Sequence, residues 1–202
     1  MKKKTQVYLF LAALLSLIII DQIVTSNMLR GQKADGTIIN YAGRQRMLSQ
    51  NIAKNIMAIQ NKEIDNAATG EERRNLNQLL KDFTKSHNGL RERDEILNFS
   101  GMNSKTVQAM FSDIQPSYEV IVENTGRLLN SSSIGDIKMF SSTIMNNEQA
   151  FLTRMDTIVF QYNKEYNEKL DTVSTIILVL AFLKVCLLLF GVSYIGNFFK
   201  EK

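Results

Sequence analysis

The chain has 202 residues, a formal net charge of +4, and one cysteine and one histidine. One Cys and one His cannot assemble a metal centre, and a lone cysteine cannot close an intrachain disulfide. Part of the positive charge sits in terminal lysines and the middle carries mixed signs without a basic stripe, which argues against a nucleic-acid partner.

Apolar residues make up 45% of the chain, but they cluster at its two ends. The first block runs from Val7 to Ile20 and continues past Asp21 through Ile23 and Val24. The second runs from Val173 to Phe199 and is interrupted by Lys184. A bilayer core needs about 20 largely apolar residues in a helix, and each block reaches that length if one charge is tolerated. "MKKK" would suit the basic start of a cleavable signal peptide. The apolar run is long, however, and Asp21-Gln22 stands where small cleavage-site residues would be expected, so an uncleaved anchor is the expectation. Lys2, Lys3 and Lys4 flank one block and Lys200 and Lys202 the other, which predicts cytoplasmic termini. Arg30 and Lys33, after the first block, weaken that bias without reversing it. The expected layout is a cytoplasmic start (1–6), a first span (7–26), an extracytoplasmic domain (27–172), a second span (173–199) and a cytoplasmic end (200–202). In a bacterium this is a two-pass protein of the inner membrane with a periplasmic middle.

Between the blocks, a single proline and scattered glycines argue for long helices over a turn-rich sheet. Periodicity near 3.6 predicts helices from about Asn27 to Ile64, Glu71 to Leu97, Lys105 to Leu129, and from Asp136 into the second span. The breaks are the turn-like stretches Asp65–Glu72, Asn98–Ser104 and Asn130–Asp136. Ser104 is placed as the N-cap of the third helix, and Pro116 is expected to bend it. His87 is expected to be solvated or to serve as a cap. The predicted fold class is all-α: an extracytoplasmic antiparallel four-helix bundle between two transmembrane helices.

"INYAGRQRMLSQNIAKNI", Ile39 to Ile56, departs from an ordinary amphipathic pattern. At about 100° per residue, Ile39, Ala53 and Met57 fall within about 20° of Arg46, with Ala42 and Gln50 about 40° away and Gly43 and Ser49 about 60° away. Arg46 thus centres a stripe of mainly small residues that a second helix can approach closely. A guanidinium in such a seam keeps its proton and needs an anionic partner, and its planar fork suits a planar oxyanion or a carboxylate. In a twofold interface two copies of Arg46 would repel unless an anion lay between them. A salt bridge within the same bundle, or simple exposure, satisfies the same pattern. Arg44, about 160° away, is read as a solvated or supporting charge.

The residues Ile39, Asn40, Ala42, Gly43, Arg46, Met47 and Ser49 match the P-box pattern of nitrate/nitrite sensor kinases of the NarX and NarQ type. "GRQRMLSQ", Gly43 to Gln50, more closely resembles the N-terminal domain of type IV pilus methyl-accepting transducers, the PilJ family. Leu152 to Asn163 resembles that family's last periplasmic helix more weakly. The resemblance implies a dimeric periplasmic bundle in which Arg46 contacts nitrate or nitrite. Gly43 and Ala42 would allow close approach, with Asn40, Met47 and Gln50 beside the site. It also implies HAMP, kinase or methyl-accepting domains beyond the second span. The chain as given stops at Lys202, which leaves a fragment or a subunit that signals through a separate histidine kinase or transducer.

Asp21 and Lys184 interrupt the two spans at matching depth. Asp21 follows Lys4 by 17 residues and Lys184 precedes Lys200 by 16, roughly 25 Å along each helix. An intramembrane ion pair, within a subunit or across a dimer, is expected; the alternative is that each side chain snorkels to the outer interface.

The sequence favours a membrane-anchored sensory module that takes a small anion, acts as a homodimer and uses no cofactor. A helical scaffold that binds no ligand and assembles with membrane partners is the alternative. No nucleophile–base pair, metal spacing or phosphate-cradling loop speaks for an enzyme.

Overall fold

In the computed structural model, residues 3–93, 99 and 101–200 are described. They form four α-helices and, among the described residues, no strand: α1 (Lys3–Ile64), α2 (Gly70–Glu92), α3 (Lys105–Leu129) and α4 (Ile134–Lys200). The last residues of the predicted second helix (94–97), Asn98 and Ser100 of the following break, and the terminal Lys2 and Lys202 lie outside the described residues.

Contacts divide the chain into two compact units, residues 34–164 and residues 1–33 with 165–202. The unit of residues 34–164 is a four-helix bundle. Its core is built by Ile38, Ile52, Ile56 and Ile59 of α1, Leu76, Phe83 and Leu90 of α2, Phe111, Ile114 and Ile121 of α3, and Ile144, Phe151 and Ile158 of α4. The spacings of three, four and seven residues place each set on one helical face.

The ends of the bundle are tied by polar clusters that fix its antiparallel order. At one end Arg73, in the first turn of α2, donates to the carbonyls of Leu128 (3.0 Å) and Leu129 (3.2 Å) that close α3, and to Glu63 of α1 (2.9 Å). This satisfies acceptors left over at a helix C-terminus. Arg73 and the Thr69 hydroxyl hold the Glu63 carboxyl below the usual carboxylate range. At the other end the Asn103 side chain donates to Leu90 O (2.8 Å) and Arg91 O (3.0 Å) and accepts from Arg93 Nε (2.7 Å) and the Tyr162 hydroxyl (2.8 Å). Phe99 stands edge-on to Tyr41 with ring centroids 5.0 Å apart. The connection between α2 and α3 thereby grips both α1 and α4.

The expected cap at Ser104 is met, and the expectation for His87 is corrected. Ser104 caps α3 by accepting from the Val107 backbone N–H at 3.1 Å. Pro116 sits inside α3, which continues across it. The carbonyl deprived of a donor belongs to Ser112, on the exposed side of the helix, where water can serve it. His87 is neither solvated nor a cap. It is fully buried, stacked on Tyr118 at 3.7 Å and edge-on to Phe111 at 5.6 Å. Tertiary packing wins here because a neutral imidazole is flat enough to lie on a phenol ring, and Gln115 Oε1, 3.2 Å from its Nε2, meets its polar edge.

The other unit contains the apolar ends of α1 and α4. Both helices are long and apolar enough to cross a membrane, and their most apolar windows are 0% and 6% buried. A soluble core helix would hide that surface; here it is free to face lipid. Within this unit Phe10 packs directly on Gly191, and Tyr194 donates a hydrogen bond to Gln6.

Candidate functional site

The stretch Ile39–Ile56 lies in α1, and its wheel splits into two faces. Ile38, Ala42, Gln45, Ser49 and Ile52 are buried. Asn40, Met47 and Gln50 are exposed, and Arg46 lies at the border with a side chain 42% exposed. A Cβ added to Gly43 would meet nothing within 4 Å. Arg46, Gly43, Asn40, Met47 and Gln50 therefore share an outward stripe of the bundle. Ala42 does not join them: at 0% exposure it lets α1 approach its own neighbours in the core.

Within the chain Arg46 faces Asp156 of α4, whose side chain is 51% exposed, and its Nε forms an ion pair with Oδ1. That contact lacks hydrogen-bond alignment, and Nε has no hydrogen-bond partner among the described residues. An ion pair this exposed is worth about 0–1 kcal/mol, so another anion can take the guanidinium over at little cost. One turn along, the Ser49 hydroxyl donates to the Arg46 carbonyl (2.9 Å) and lies 3.5 Å from Glu148 Oε1. Partial burial pushes the Glu148 carboxyl above its usual range, against the opposing effect of Ser49. Beneath the stripe, Gln45 donates to the Phe83 carbonyl at 3.1 Å and anchors α1 on α2. Arg44, on the opposite side, lies 3.6 Å from Asp82, with both side chains well exposed.

The sequence reading missed Asp156 and Glu148. Asp156 lies inside the stretch Leu152–Asn163 already noted for its resemblance, but only the antiparallel register of α1 and α4 aligns it with Arg46.

In the membrane-spanning unit Lys184 Nζ lies 2.8 Å from Asp21 Oδ2, with side chains 24% and 20% exposed. The two charges meet within one chain, between the apolar stretches of α1 and α4.

No group of three or more metal-ligating side chains is assembled among the described residues. No curated protein and no solved structure gives a significant match to the chain. The family model described as the N-terminal region of the type IV pili methyl-accepting chemotaxis transducer (PilJ) matches residues 28–138. That segment contains the whole stretch Ile39–Ile56, α2, α3 and the start of α4, with a candidate membrane span on either side. With a match over more than half of its residues, the chain belongs to the PilJ family, a sensory and signal-transduction module of chemotaxis transducers.

Proposed function

We propose that residues 34–164 form an extracytoplasmic sensor that binds a small planar oxyanion of the nitrate or nitrite kind through Arg46, at an interface between two copies of the chain, and that α1 and α4 carry the bound state to a cytoplasmic kinase or transducer. The observation that carries this reading is Arg46 itself: a half-exposed guanidinium held by one weak, half-exposed carboxylate, beside a glycine that nothing in its own chain requires. A glycine inside a helix costs about 0.5–1 kcal/mol relative to alanine, and close approach by a second helix would give Gly43 a use. Asn40, Met47 and Gln50 then border the anion, and Asp156 is the internal substitute that it displaces. The lysines flanking the two spans support an extracytoplasmic position for the bundle and a place for the chain in a bacterial inner membrane.

The test is thermal unfolding of the full chain in nanodiscs with nitrate, nitrite and chloride, for the parent protein, Arg46→Ala and Asp156→Asn. A ligand that binds only the folded state at about 100 times its dissociation constant adds roughly 2.7 kcal/mol. One anion should raise the midpoint, lose its effect in Arg46→Ala, and act at lower concentration in Asp156→Asn. No shift with any anion would leave a helical scaffold that works through membrane partners.

A further inference from the structure

The bundle carries a cleft between α1 and α4, away from Arg46. Met57, which borders it, follows Arg46 by 11 residues, about 16 Å along α1. The cleft has a volume of about 260 Å³ and lies between Met57, Gln60 and Asn61 of α1 and Lys138, Ser141 and Met145 of α4.

Two independent features mark it. Ser141 is 3% exposed, and its hydroxyl is buried without a hydrogen-bond partner. Thr143, Thr153 and Thr157 of the same helix return their hydroxyls to the carbonyl four residues back, at 3.0 Å each. Ser141 does not, and a buried hydroxyl without a partner costs about 1–3 kcal/mol. The second feature is Lys138, which has no ion pair or hydrogen bond among the described residues. No acidic residue lines the cleft.

We infer that this cleft is a binding site for a short aliphatic monocarboxylate, separate from Arg46 and about three turns further along α1. Lys138 supplies the single compensating charge, and the Ser141 hydroxyl donates to a carboxylate oxygen. The Gln60 and Asn61 amides offer further donors, and the Met57 and Met145 thioethers bracket an apolar body of a few carbons. A lone ammonium balances one negative charge, which selects against dicarboxylates, and the thioether walls favour a carbon chain over a bare inorganic ion.

The probe is butyrate, titrated calorimetrically into the full chain in phosphatidylcholine nanodiscs, with butyramide, succinate and nitrate as comparisons. Butyrate should bind, whereas butyramide and succinate should bind at least about tenfold more weakly, a difference of roughly 1.4 kcal/mol. Lys138→Gln, a surface change that leaves the core intact, and Ser141→Ala should each weaken butyrate about tenfold or more. Arg46→Ala should leave butyrate binding unchanged, so failure here and failure of the Arg46 site are read separately. Absence of butyrate binding, equal binding of butyramide, equal binding of nitrate through Lys138, or butyrate binding that survives Lys138→Gln would each overturn the assignment.

Discussion

Lys184 Nζ and Asp21 Oδ2 meet at 2.8 Å, across 163 residues of sequence and between the two helices that are able to cross a membrane. Each charge alone is costly in hydrocarbon, at about 2.5–3.5 kcal/mol near a span's centre on insertion scales. Pairing offsets part of that cost, and the pair is expected to hold the two spans in one register.

Removing one partner should therefore do more harm than removing both. Lys184→Leu leaves Asp21 unpaired and should lower the stability of the full chain in nanodiscs, whereas Asp21→Leu with Lys184→Leu should recover most of the loss. Thermal unfolding of the three proteins checks this. Equal midpoints for the parent and Lys184→Leu would show that the pair contributes nothing to the packing of the spans.

Asn103 joins the end of α2 to α4 through four hydrogen bonds, and Arg93 covers the Tyr162 ring at 5.3 Å. Asn103→Ala removes one acceptor of the Tyr162 hydroxyl and the amide donor shared by the Leu90 and Arg91 carbonyls, at a cost of about 2–4 kcal/mol. The expected fall in unfolding midpoint is roughly 6–12 °C. Tyr162→Phe, which removes only one of these bonds, should lose about 1 kcal/mol. A fall in Asn103→Ala no larger than that would mean that the cluster does not act as a unit.

Burial pulls the His87 imidazole down to about 4, with Gln115 opposing and the Arg91 charge assisting. The folded pKa lies below the unfolded value, so between pH 6.5 and about 4 the unfolded chain binds more protons and stability falls as the pH falls. The full contribution is roughly 3 kcal/mol, present above pH 6.5 and lost progressively below it. His87→Gln, which keeps a polar group facing Gln115, should flatten this dependence between pH 6.5 and 5, above the range where most carboxylates titrate. Parallel unfolding curves for the two proteins across that window would contradict the burial of a neutral histidine.

Much of the architecture is legible in the sequence. Two apolar blocks with basic flanks predict the spans, and period-3.6 runs broken by Asn, Ser and Gly predict the helices. α3 begins and ends at the predicted residues because a Ser cap and an Asn-Ser turn are local signals, carried by side chains next to the backbone they serve. The stretch Ile39–Ile56 also announces an unusual α1 surface, because a mid-helix glycine conflicts with helix propensity and small residues surround an arginine. The sequence could not decide which side of that wheel is core. Ala42 and Arg46 lie about 40° apart, yet one is wholly buried and the other half-exposed, and that split depends on where α2 and α4 pack. The same holds for Asp156 opposite Arg46, for His87 against Tyr118 and for the α1 residues that face Ser141. Each pairing joins residues from distant parts of the chain or depends on the packing around them, so it exists only once helix register is set by the core. Periodicity along one helix determines which residues share a face; only the packing of several helices decides what that face meets.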